Sequence, residues 1–177
     1  ICALGGLQGA IGWWMVASGL SGTMLDVASY RLATHLGLAF VILGAISWFS
    51  LLLARPDRDL MQSRRQRETG LVQMATLLVG MTFVQIIFGA LVAGIDAGRN
   101  YIDWPLMSGG VLPPAPFDLA PVGRNFFEYA GLVQFVHRSD GHIVLVFGSV
   151  LWVRGGSLTS DPVWRRCVLV LALIIVK

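Results

Sequence analysis

Long apolar runs separated by shorter polar stretches set the layout of the chain. A membrane-crossing helix needs about 20 mostly apolar residues in succession. Five candidates meet that need: residues 2–20, 30–54, 71–94, 126–153 and a last run that begins near Trp164. The fourth is interrupted by His137, Arg138, Asp140 and His142. None alternates with the period of two that a membrane β-strand would show. The expected fold is therefore all-α, a polytopic transmembrane helix bundle of five spans with the first and last truncated.

Composition agrees. Of 177 residues, 55% are hydrophobic and 13% charged, against about 25% charged in ordinary soluble domains. Such a chain is too apolar to remain disordered, and its mean hydropathy of +0.71 points to lipid as solvent. The net charge is +3, and twelve of the thirteen basic residues are Arg. They are scattered rather than gathered on one face, so no nucleic-acid partner is expected. Cys2 and Cys167 both fall inside candidate spans and read as buried thiols, not as a disulfide. The chain opens on Ile1-Cys2-Ala3 without a basic n-region or cleavage site, so no signal peptide is expected. It ends inside another apolar run, and an internal piece of a longer protein is the expectation.

Charge in the loops gives an orientation. Residues 55–70 hold Arg55, Arg58, Arg64, Arg65 and Arg67 against Asp57, Asp59 and Glu68, and residues 154–166 hold three Arg against Asp161. The loops between are poorer in base. Basic loops stay on the cytoplasmic side, or the matrix side in a mitochondrion. The opposite, outer side then carries the long loop 95–125, stiffened by Trp104-Pro105, Gly109-Gly110 and Pro113-Pro114-Ala115-Pro116. A loop of that length serves either as a functional lid or as a passive cap.

All three histidines fall in candidate spans, where ionisable side chains are costly and tend to mark sites. His35 follows Arg31 by one helical turn and lies roughly 7–8 Å from the start of its span. His137 shares a face with Ala130, Gln134, Gly141, Val144 and Gly148, and lies about 10 Å in if its helix begins near Ala130. Two imidazoles at one depth, each beside an Arg and small residues, suit a planar metallated macrocycle, since neutral imidazole is an axial ligand of haem iron. Arg31 and Arg138 would neutralise its propionates. The other reading is a pair of buried histidines hydrogen-bonded across helices, and spacing alone leaves both open. His142 is about 140° round the helix from His137, so the two cannot share a site, and it is read as a packing or interhelical hydrogen-bonding residue. Asp140 is expected to pair with an Arg of a neighbouring helix, with proton relay as the sharper alternative. Glu128 is placed at the outer interface, at a helix end. Gly5, Gly9, Gly12 and Gly19 form a stripe on the first span and are read as a helix-packing surface.

Several motifs in order resemble the haem A synthase family of the proteobacterial and mitochondrial type. The segment from Gly6-Leu7-Gln8-Gly9 through Gly12-Trp13-Trp14 to Gly19-Leu20 is similar to that family's third span. Tyr30-Arg31-Leu32-Ala33-Thr34-His35-Leu36 resembles the start of the fourth. Ala93-Gly94-Ile95-Asp96-Ala97-Gly98 with Asp103-Trp104-Pro105-Leu106-Met107 resembles the loop after the fifth. Arg124-Asn125-Phe126-Phe127-Glu128 and Val133-Gln134-Phe135-Val136-His137-Arg138 resemble the sixth.

The resemblance implies an eight-helix protein of two pseudo-symmetric halves. Residues 1–54 would supply the last two helices of the first half, 55–70 a cytoplasmic linker, and 71–177 the first three helices of the second. It implies oxidation of a methyl group of haem O to the formyl group of haem A, with haem b iron as cofactor and haem O as substrate. His35 and His137 would be iron ligands, one in each half, with Arg31 and Arg138 as cofactor-binding residues, and the segment 100–104 would shape access from the outer side. The expected place is a bacterial inner membrane, or the mitochondrial one, among lipid, haem O synthase and cytochrome oxidase assembly factors. Val136 stands where many relatives carry an acidic residue, and the outer loop lacks the cysteine pair of another branch. A b-type electron-carrying subunit without catalysis and a haem-free assembly scaffold are the rival functions.

Overall fold

The computed structural model describes residues 1–19, 27–65 and 67–158. Among them the chain is helical, with one isolated bridge between Met107 and Gly110 as its only β-type pairing. The long helices are α1 (Cys2–Gly19), α2 (Ser29–Leu53), α4 (Thr69–Gly94) and α6 (Ala130–Leu158); α3 (Asp57–Arg65) and α5 (Asn125–Glu128) are short. Of these, α2 and α4 are long and apolar enough to cross a membrane. At 1.5 Å per residue each runs roughly 38 Å, beyond the ~30 Å of a hydrocarbon core. The expected fifth span, with Cys167, lies outside the described residues.

The helices form a row in which α1 packs on α2, α2 on α4 and α4 on α6. Neighbours run antiparallel, as the pairing of the end of α4 with the start of α2 shows: a Cβ on Gly94 would lie 2.8 Å from the Ser29 Cα. No side chain larger than hydrogen fits there. The core gathers Ala33 of α2, Ala90 and Leu91 of α4 and Val133 of α6, with Leu36, Ile87 and Phe88 against them. Small residues at these crossings let the backbones approach, which is what holds helices together where lipid removes the hydrophobic drive. Around this core the surface stays apolar: Trp13, Val79 and Val153 are 77%, 70% and 72% exposed. A surface of that kind suits lipid or further helices rather than water.

Two sequence expectations change. The linker 55–70 contains a helix, α3, whose Asp57 and Asp59 sit in the first turn and Arg64 and Arg65 in the last. That charge order complements the helix dipole, a local effect that a net charge does not reveal. The run 126–153 is two helices, because Tyr129 is extended (φ −84°, ψ 109°) between α5 and α6. Its hydroxyl donates to the Pro114 carbonyl at 2.6 Å, and a Cβ on Gly131 would come within 2.8 Å of Pro113. The long loop thus docks at this break.

That loop is folded, not slack. Asn125 is fully buried. Its amide donates to the carbonyls of Leu119 (2.8 Å) and Val122 (2.9 Å) and accepts from the Leu119 N–H (2.9 Å). Its own Met107 and Pro113 are buried. Its end is fixed to α2, where the Tyr30 hydroxyl donates to Glu128 at 2.9 Å and Arg124 Nε donates to the same carboxylate at 2.9 Å.

Candidate functional site

Both α2 and α6 begin at the loop end of the row. His35 is six residues into α2 and His137 seven into α6, which places them about 9 and 10 Å along their helices. Each ring lies edge-on against a glycine of the preceding long helix. A Cβ on Gly12 of α1 would stand 2.9 Å from His35 Cε1, and one on Gly89 of α4 would stand 3.1 Å from His137 Cε1. The two imidazoles thus share a pose as well as a depth. Gly5 and Gly9 meet nothing within 4 Å, so of the expected packing stripe Gly12 alone is shown to be needed, and as a seat for an imidazole.

The Nδ1 atoms of His35 and His137 are both buried without a hydrogen-bond partner, as are the amide oxygens of Gln8, Gln85 and Gln134. Leaving such an atom unpaired costs about 1–3 kcal/mol, and in a native structure each instance calls for a functional or structural reason. The Gln8 side-chain N–H2 donates to the His35 carbonyl at 3.1 Å and lies 3.4 Å from His35 Nε2. In the second pair the Gln85 amide nitrogen rests against Gly141, 3.0 Å from where its Cβ would be. Gln8 precedes Gly12, and Gln85 precedes Gly89, by the same four residues. Neither glutamine was singled out by sequence reasoning, although that repeated Gln-x3-Gly spacing was a signal available to it.

His137 borders a cavity of about 420 Å³ between α2 and α4, lined by Leu32, Leu36, Phe40, Gln85, Ile86 and Gly89 among others, and His35 does not line it. This cavity does not bring the two histidines together. Arg31 turns to α1, donating to the Trp14 carbonyl at 2.7 Å with its guanidinium 4.5 Å from the Trp14 ring. Arg138 binds the long loop, donating to the carbonyls of Tyr101 at 2.6 Å and Asp103 at 3.0 Å. Gln134 joins it on Tyr101 at 2.9 Å. The residues on either side of His137 along α6 thereby tie segment 101–103 beside it, close to the rim expected at 100–104.

Other expectations shift. His142 is exposed and stacks on Trp104 of the loop at 6.0 Å, with Nδ1 2.6 Å from the Arg138 carbonyl. It packs, but on the loop and not on a neighbouring helix. Asp140 has a buried Oδ2 without a partner, and no Arg pairs with it among the described residues. At the loop end the Glu128 carboxyl is held below the usual carboxylate range by its hydrogen bonds from Arg124 and then Tyr30. The Tyr129 hydroxyl is pushed up to about 12, first by its hydrogen bond with Tyr101 and then by burial.

Comparison with known proteins gives a consistent answer. The model of a family described as cytochrome oxidase assembly protein, COX15-CtaA, matches residues 1–177. A haem A synthase of Dinoroseobacter shibae is 66% identical over 151 residues, covering 85% of this chain and 39% of that protein. One from Ruegeria pomeroyi is 60% identical over 86% of the chain and 40% of the relative. One from Paracoccus denitrificans is 57% identical over 92% and 42%. The chain thus spans about two fifths of the length of these relatives. No solved structure matches it.

Proposed function

Since the chain belongs to the COX15-CtaA family of cytochrome oxidase assembly proteins, we propose that it is the middle portion of a haem A synthase, which oxidises a methyl group of haem O to the formyl group of haem A. In this reading α1, α2, α4 and α6 are spans of an eight-helix protein of the inner membrane, with the long loop on the outer side. The α1–α2 pair belongs to one four-helix half and α4 and α6 to the other. His35 and His137 would each supply one iron ligand, with further ligands from helices beyond this segment. Haem b is the resident cofactor, haem O the substrate, and haem O synthase and cytochrome oxidase assembly factors are the expected neighbours.

The observation that carries the reading is the matched pair of imidazoles, each seated on a glycine at one depth with a buried, unpartnered Nδ1. The residues fit a haem. Gly12 and Gly89 leave no side chain between the preceding helix and the ring, and the cavity beside His137 is apolar-walled and of a size suited to part of a macrocycle. When bound, the haem iron supplies the oxidative and electron-transfer chemistry. The chain's own residues hold and shield it. Leu32, Leu36, Phe40 and Ile86 keep water from the wall next to His137. Arg31 and Arg138 are anchored on carbonyls, and a guanidinium with five N–H donors retains some for a propionate.

The test is pigment extraction from the full-length protein made together with haem O synthase. Formyl haem is the expected product, and His35→Ala and His137→Ala are each expected to abolish it. Wild-type turnover in either variant removes that residue from the site. Protohaem as the sole pigment would make the protein an electron carrier, and a colourless preparation would make it a scaffold.

A further inference from the structure

We propose that the groove between α2 and α4 holds the hydrocarbon tail of the substrate, and that Gln85 accepts a hydrogen bond from the hydroxyl at the root of that tail. This rests on haem O as substrate, since haem O carries a hydroxylated isoprenoid chain where haem b has a vinyl group. The groove follows the helices. Its α2 wall is Leu32, Leu36 and Phe40, one residue per turn, and its α4 wall runs from Ala93 to Thr82. Two turns of one helix and three of the other make it roughly 12–16 Å long. A volume of about 420 Å³ then leaves a mean section of roughly 30 Å². Carbon atoms meet at about 3.5–4.0 Å, so such a section passes a single chain but not the full breadth of a macrocycle. A further α-helix, about 10–12 Å across with its side chains, is too wide for it.

Placement reinforces the assignment. The groove starts near the loop ends of both helices, at Leu32 and Ala93, and His137 stands in its wall. It continues past the level of the histidines to Phe40 and Thr82, roughly 16–18 Å from the loop end. A ring bound at the histidine level therefore has an apolar path leading inward for its chain. Two side-chain polar groups of the α4 wall differ in what they need. The Thr82 hydroxyl donates to the Leu78 carbonyl at 2.8 Å. Gln85 Oε1 is buried without a hydrogen-bond partner, one turn inward of the Gly89 seat. A carbonyl oxygen only accepts, so what it lacks is a donor. A hydroxyl buried in hydrocarbon is costly until it finds an acceptor, and one carried beside the ring meets Gln85. A lipid acyl chain would fill the apolar length but bring no donor to that oxygen.

The experiment uses the full-length protein made in cells without haem O synthase, so that it carries haem b. It is then titrated in lipid with haem O or with further haem b, and binding is read optically. Wild-type protein is expected to take haem O on the order of 10-fold more tightly, through the matched hydroxyl and the packed chain. Thr82→Trp, which plugs the inner end, should erase that advantage without altering the haem b titration. Phe40→Trp, from the facing wall, should do the same if the first variant does not fold. Gln85→Leu should weaken haem O roughly 2–10-fold and haem b not at all. No advantage in the wild type, or an advantage kept in both plugged variants, overturns the proposal and leaves the groove to a lipid chain. Equal loss of both pigments with the resident haem b retained would mean that the groove holds the ring, which also overturns it. An unaltered haem O titration in Gln85→Leu removes the hydroxyl's acceptor. The ratio of the two pigments tests the groove, whereas loss of haem b in His35→Ala or His137→Ala tests the ligand assignment, so each can fail alone.

Discussion

The two histidine seats are built alike and secured differently. His35 lies on Gly12 and is clamped within its own helix pair by Gln8. His137 lies on Gly89, borders the cavity between α2 and α4, and has the long loop tied beside it through Gln134 and Arg138. One ring is held by a neighbouring side chain. The other is open on the cavity side and braced by thirty residues of loop that dock elsewhere on Tyr129 and Asn125. The difference teaches that a common way of presenting imidazole need not share a common support, so the two sites should respond unequally to the same kind of damage.

Adding bulk to the seats should produce the largest effects. Gly12→Ala would place a Cβ 2.9 Å from the His35 ring, while Gly89→Ala would place one 3.1 Å from His137. The first contact demands movement; the second needs only a few tenths of an ångström. Overpacking of this kind costs about 1–3 kcal/mol, partly offset by the roughly 1 kcal/mol helix preference of Ala over Gly. Haem bound through His35 should be lost in Gly12→Ala, and haem bound through His137 weakened less in Gly89→Ala. Separate titration of the two haems by optical spectroscopy in the full-length variants measures this. Equal losses would break the comparison.

The loop brace gives the next effect. Arg138→Met removes two charge-assisted bonds to the Tyr101 and Asp103 carbonyls, each worth about 1.5–3 kcal/mol. Amide exchange in segment 100–110 should accelerate, and the haem at His137 should become easier to extract while the haem at His35 is unchanged. His142→Leu is expected to do less. It forfeits the stack on Trp104, worth about 0.5–1.5 kcal/mol, and should leave haem content intact with near-normal formyl-haem output.

These contrasts also show what the sequence could and could not convey. The depth match of His35 and His137 was legible because a fixed rise per residue turns a count into a distance. The pairing of each ring with a glycine was not, since it depends on the register between helices, which apolar runs leave open. Gly12 was visible as one of a stripe, but only the structure separates it from Gly5 and Gly9, which meet nothing. Arg138 was readable as a neighbour of His137, while its turn towards loop carbonyls is a tertiary outcome. The break at Tyr129 escaped because Phe126, Phe127 and Tyr129 continue an apolar run, and the contact made at the break is with Pro114, fifteen residues away.

The smallest expected effect lies at the loop end, equally far from both seats in kind. Glu128 accepts from Arg124 and Tyr30, and its carboxyl is held below the ordinary range by those bonds. A group whose folded pKa is lowered contributes stability that is present above its unfolded pKa and is lost as pH falls through the folded value. The contribution is therefore intact at neutral pH and disappears only on acidification below the usual carboxylate range. Because the pair faces solvent, salt should weaken it too. Acid should release the α5 end of the loop from Tyr30 before it disturbs the Arg138 bonds, whose acceptors are backbone carbonyls that do not titrate. Amide exchange around residues 124–128 should thus rise in acid ahead of that in segment 100–104, and Glu128→Gln should remove the difference. Simultaneous loosening of both segments would mean that the loop opens as a unit, and that the brace beside His137 is not independent of the tie to α2.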